Sequence, residues 1–123
     1  MAQGRSGAMG LVALVLVVFG LLELSTATTY TVGDSGGWIF GVSDWPNGKN
    51  FLAGDVLVFQ YSAVHHNVVA VNADGYNSCS VPPGSTTYTS GNDSITLQKG
   101  ANFFLCGFPG HCSGGMKIQA NAA

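Results

Sequence analysis

The 123-residue chain is 8% charged, with four basic residues against six acidic and a pI near 5.7, where ~25% charge is usual for soluble domains. That balance leaves no electrostatic footprint for a phosphate backbone and excludes a nucleic-acid partner. Eighteen glycines and a 46% hydrophobic content exclude a disordered acidic chain and a helix-rich one built on Glu, Lys and Ala, so strands and turns are expected.

The chain opens with a segment that does not belong to a folded core. Arg5 is the one charge among the first ten residues, and the apolar run LVALVLVVFGLL follows from Leu11 to Leu22. The run is too short for the ~20 residues of a membrane-spanning helix, and it has the form of a secretory leader. Ser25 and Ala27 supply small residues at the −3 and −1 positions, which places cleavage after Ala27. A leader over 1–27 leaves a single mature domain over 28–123, with Lys49, Lys99 and Lys117 against Asp34, Asp44, Asp55, Asp74 and Asp93. The expected location is extracellular, as a monomer. No apolar C-terminal tail marks a membrane anchor on the mature form.

Seven short runs rich in β-branched and aromatic residues come next: Thr29–Val32, Asp55–Tyr61, Val64–Val71, Thr86–Thr89, Ser94–Gln98, Ala101–Cys106 and Met116–Gln119. Glycine, proline and asparagine clusters separate them, at Gly33–Gly37, Pro46–Gly48, Asp74-Gly75, Pro82–Gly84, Ser90–Asn92 and Lys99-Gly100. Alternation bounded by turn signals, with no helix-period stretch, predicts an all-β fold, an antiparallel Greek-key sandwich of about seven strands. Three cysteines in a secreted domain allow one disulfide and leave one thiol that needs a reason to survive oxidation.

Chemistry-bearing side chains gather in the last strand, loop and strand. Cys106, His111 and Met116 follow one another at intervals of five residues in a Gly- and Pro-rich loop, and His65-His66 offer a further imidazole 40 residues before Cys106. Two imidazoles and a thiolate in a plane, with a long, weak axial thioether, form the coordination sphere of a blue-copper electron-transfer centre. On a strand over Val64–Val71, His65 and His66 point to opposite faces, so one imidazole at most reaches the metal, and alternation leaves the choice open.

The segments YTVGDSGGW, FLAGDVLVFQY, HNVVAVN, YTSGNDSITL and CGFPGHCSGGMKI resemble the phytocyanins, the blue copper proteins of plants, and within them the plantacyanin (basic blue protein) branch. The resemblance implies a cupredoxin-like sandwich, one copper ion held by His66, Cys106, His111 and Met116, and a Cys79–Cys112 disulfide. The order of residues agrees with that pairing, since Cys112 follows His111 directly and projects away from a metal that His111 faces. Closing a loop of about 33 residues stabilises by roughly 3–4 kcal/mol in the chain-entropy account. Plantacyanins are commonly basic, whereas this mature chain is slightly acidic, which argues against a polyanionic partner held by charge.

Three further positions stand out. Asn67, beside His66, is a candidate for tying the His66 segment to the Cys106 loop. Phe108-Pro109, at the tip of the ligand loop, would form an apolar docking patch for a redox partner. Asn92-Asp93-Ser94 fits the N-glycosylation pattern. The function that the resemblance implies is one-electron transfer between extracellular partners, a protein or a small redox molecule, in the apoplast or cell wall. The ligands fill the site, and the loops that build it carry no Ser/His/Asp set and no paired carboxylates, so no enzyme is expected. The alternative implied by the resemblance is an extracellular signalling or adhesion protein of plant reproduction, with copper structural or incidental.

Overall fold

A computed structural model of the chain describes residues 26–123. The leader expected over 1–27 lies outside the described residues except for its last two. Seven strands form two sheets: β1 (Thr29–Thr31), β2 (Val56–Gln60), β3 (Val68–Val71), β4 (Thr86–Tyr88), β5 (Asn92–Thr96), β6 (Gly100–Leu105) and β7 (Lys117–Ala122). One sheet has the order β1-β2-β5 and the other β4-β3-β6-β7. The chain therefore crosses from one sheet to the other between β2 and β3, between β4 and β5, and between β5 and β6.

Burial follows the two-residue period. Leu57 and Phe59 in β2, Asp93 and Ile95 in β5, and Ile118, Ala120 and Ala122 in β7 point inward while their neighbours face outward. The two inner faces meet through aromatic rings. Phe59 lies 5.0 Å from Trp38 and 5.2 Å from Phe104, which joins β2 of one sheet to β6 of the other. The Trp38–Phe59 pair is edge-to-face, a geometry that stabilises beyond the area it buries. Val68 and Val69 are both buried, although they face opposite ways along β3. Val69, Leu105 and Cys112 form a second small cluster outside the main core.

Four expectations need correction. The sandwich is not antiparallel throughout, because β1 pairs with β2 in parallel. The long connection between them, which holds a 3₁₀ turn at Asp34–Gly36, gives the chain the length that a parallel return requires. A helix is present where only a turn was expected: α1 spans Ala73–Ser78, with Asn72 Oδ1 accepting from Gly75 N and Cys79 ending it in the left-handed region. It is short and capped, and it carries no apolar period for a sequence pattern to reveal. The strand expected from Val64 begins only at Val68, because the Ser62 carbonyl accepts from both His65 N and His66 N, at 3.0 Å each, and closes a turn. Asn92, expected in a turn, is the first residue of β5, and its register partner is Gln60.

Sheet order puts one end of the sandwich to use. β6 lies between β3 and β7 and runs antiparallel to both. The exit from β6 and the entries to β3 and β7 therefore share one end. Cys106 directly follows β6, Met116 directly precedes β7, and His66 stands two residues before β3.

Candidate metal centre

At this end the donor atoms of His66, Cys106 and His111 all lie within 4.8 Å of one another. His66 Nδ1 is 3.1 Å from His111 Nδ1, and Cys106 Sγ is 3.5 Å from the same nitrogen. Cys106 is 1% exposed and His66 is 7% exposed, while His111 is partly open. Burial holds the His66 imidazole below its ordinary pKa, and the neighbouring His111 and His65 rings reinforce this. A neutral imidazole is the form that donates to a metal.

The loop from Cys106 to Met116 is stapled by its own backbone. Cys106 N donates to Met116 O at 3.0 Å, Met116 N to His111 O at 3.1 Å, and His111 N to Phe108 O at 3.1 Å. These bonds hold the three candidate ligands of this loop in a fixed relation before any metal arrives. Met116 is fully buried within the main core cluster, beside Cys106. His65 is exposed, so the turn rather than strand alternation separates the two adjacent histidines.

Asn67 makes the tie expected of it. Its Oδ1 accepts from Gly107 N at 2.6 Å, and its carbonyl accepts from Trp38 Nε1 at 2.9 Å. The His66 segment, the residue after Cys106 and the core tryptophan are thereby bound into one network. Gly107 suits this contact, since a Cβ there would stand 3.2 Å from Val69 Cγ2 and 3.3 Å from Asn67 Oδ1.

Behind the loop, Cys112 is bonded to Cys79, which joins the end of α1 to the ligand loop. Cys106 is the free cysteine among the described residues, and its burial keeps the thiol away from solvent oxidants. Phe108 stacks on His111, with centroids 5.6 Å apart and planes at 28°. Pro109 is exposed beside it, and Asn92 is exposed at the start of β5. One residue of the site escaped the sequence reading. Phe40 lies 4.7 Å from the His111 ring and 5.8 Å from the His66 ring. Its signal was an apolar triplet, Trp38-Ile39-Phe40, outside any strand pattern and between glycines.

Two imidazole nitrogens and one thiol sulfur, converging in a largely buried place, are the donor set of a soft or borderline transition metal, and a thioether from Met116, whose backbone bonds to both Cys106 and His111, would favour copper over zinc.

Comparison with known proteins agrees. The family model described as a plastocyanin-like domain matches residues 38–116. The chain is 54% identical to a chemocyanin of Lilium longiflorum over the full length of both, and 55% identical to a basic blue protein of Cucumis sativus over 76% of this chain and 97% of that one. The solved structure of cucumber basic protein, a blue copper protein, superposes with a TM-score of 0.78 at 53% identity, covering 78% of this chain and all of that one. Spinach plantacyanin superposes with a TM-score of 0.71 at 55% identity over the same share of the chain. With this fold, this donor set and these relatives, the chain belongs to the plastocyanin-like plant blue copper proteins, the phytocyanins, as a copper electron-transfer protein with a site for one copper ion.

Proposed function

We propose that this chain is a secreted, non-enzymic electron carrier in which His66 Nδ1, His111 Nδ1, Cys106 Sγ and Met116 would hold one copper ion. The observation that carries this reading is the convergence of the first three donor atoms within 4.8 Å. Copper supplies a one-electron Cu(II)/Cu(I) couple. The chain's own residues supply rigidity: Cys106 and Met116 are locked in the core and joined by a backbone hydrogen bond of 3.0 Å, so the ligand frame changes little between the two charge states. Little reorganisation favours fast transfer.

His111 is the most exposed of the four, and it is flanked by Phe108 and Phe40. We read this as the edge through which the electron passes to an extracellular redox partner, a protein or a small redox molecule, with Phe108 and Pro109 as part of the contact. Secretion rests on the apolar run over residues 11–22 and the small residues before Thr28. A glycan on Asn92 is consistent with that route, since the Asn-Asp-Ser pattern stands exposed at a strand start.

Titration of the chain with Cu(II) tests the central reading. An intense visible band toward the red, from Cys106 sulfur-to-copper charge transfer, is expected to saturate at one copper per chain. A folded protein that stays colourless would overturn it. Secretion is checked separately, by an N-terminus near residue 28 on protein recovered from the medium.

A further inference from the structure

Phe40 is 46% exposed, and the buried part of its ring is spent on the two imidazoles and the ligand loop. It has contacts on three sides. Its ring meets His111 at 4.7 Å with planes tilted by 57°, and it meets His66 edge-on at 5.8 Å. It also lies against Gly114, where a Cβ would come within 2.8 Å of Phe40 Cδ1. The adjoining Gly41 approaches as closely: a Cβ on Gly115 would stand 3.1 Å from Gly41 Cα. The Phe40 segment is itself anchored, since Trp38 N donates to Gln60 O at 2.8 Å and Trp38 Nε1 to Asn67 O at 2.9 Å. The ring is therefore set across both imidazoles by neighbours on each side, and His111 is held between Phe40 and Phe108.

We propose that Phe40 is a positioning residue of the copper site, holding the His66 and His111 imidazoles in their converging orientation and covering them from water. This rests on the reading of the two histidines as copper ligands. An apolar cover controls solvent access and local dielectric around a metal, and hence its retention and potential. Exclusion of water disfavours the more highly charged Cu(II) state, so removing the ring lowers the potential and speeds loss of the ion.

Two readouts on the full chain test the proposal. In the copper-free protein, carbethoxylation by diethyl pyrocarbonate is followed residue by residue, with exposed His65 as the internal reference. Phe40→Ala should accelerate modification of His66 and His111 relative to His65, and Phe40→Tyr, which keeps the ring, should restore wild-type rates. In the copper-loaded protein, Phe40→Ala should speed removal of copper by a chelator about tenfold and lower the potential, again with rescue by Phe40→Tyr. Ile39→Ala removes an adjacent apolar side chain of similar exposure, 41%, and should change neither readout.

Wild-type histidine reactivity in folded Phe40→Ala would overturn the proposal, as would an equal effect from Ile39→Ala. If Phe40→Ala does not fold, Phe40→Leu, which fills the space without a ring, decides in the same way. A wild-type chain that binds no copper would overturn the ligand reading, while the copper-free measurement would still decide whether Phe40 covers the imidazoles.

Discussion

His66 Nδ1 lies 3.1 Å from His111 Nδ1, although 45 residues separate them in the chain. Cys106 Sγ stands 3.5 Å from the same His111 nitrogen, so three donors converge where a hydrogen-bonded pair would need only two. His65, one residue away, is exposed and is not among the converging donors. His66→Ala should therefore abolish the intense visible band or weaken copper binding sharply, while His65→Ala should leave the spectrum unchanged. Absorption spectra and copper stoichiometry of the two variants check this, and the opposite pattern would show that the wrong histidine has been assigned.

Cys79 and Cys112, 33 residues apart, close the loop that runs from α1 through β4, β5 and β6 to the ligand turn. Replacing both by serine should cost about 3–4 kcal/mol by the loop-closure account, read as a lower midpoint in chemical denaturation. Cys112 also adjoins His111, so the double variant should bind copper less tightly than its residual fold alone would predict. A denaturation midpoint equal to wild type would show that the surrounding cluster of Val69 and Leu105 holds this region without the bridge.

The ligand segment was legible before the structure because its chemistry is local: Cys106, His111 and Met116 sit in one short loop whose glycines and single proline, Pro109, announce a turn. Strand existence was legible for a similar reason, since Leu57 and Phe59 or Ile118 and Ala120 mark a buried face by alternation. What the sequence did not show depends on contacts between distant segments. Phe40 reaches His111 only after the β1–β2 connection folds over the ligand loop, and no local period encodes that approach. The parallel pairing of β1 with β2 is likewise a product of connection length. Helix α1 is held by the Asn72 cap, by the Tyr76–Phe103 contact at 5.4 Å and by the disulfide at Cys79, none of which has a periodic signature. His66 was distinguished from His65 by a turn on Ser62, where a strand had been expected.

Tyr61 carries a pH-dependent contribution to stability. Its hydroxyl donates to the buried Asp93 carboxylate, which also accepts from Ser90 Oγ at 2.6 Å. Burial, then the bond to Asp93, pushes the Tyr61 pKa up from 10.0 to about 12. Above pH 10 the unfolded chain releases this proton while the folded chain keeps it, so unfolding becomes more favourable as pH rises. The contribution is fully present below pH 10 and is lost between 10 and about 12. Tyr61→Phe should cost about 1–2 kcal/mol at neutral pH through the missing hydrogen bond, and its stability should fall less steeply than wild type across that alkaline window. Parallel slopes for the two proteins in pH-dependent denaturation would remove Tyr61 as the titrating group.

Met116 provides the sharpest separation between ligand and core residue. It is fully buried, and its backbone accepts from Cys106 N and donates to His111 O, so either role is compatible with its position alone. Met116→Gln exchanges a soft thioether for a harder amide oxygen, which binds Cu(II) better than Cu(I) and should lower the reduction potential, because axial ligand identity tunes that potential. The blue colour should survive, since the Cys106 sulfur remains. For a one-electron couple about 59 mV corresponds to a tenfold change in equilibrium constant, or ~1.4 kcal/mol, so a modest difference in axial bonding is visible by voltammetry. A Met116 that only packs the core would behave differently. The buried amide would then destabilise the fold by about 1–3 kcal/mol with the potential unmoved, and that result would leave three ligands and an open fourth position at which a substrate could bind.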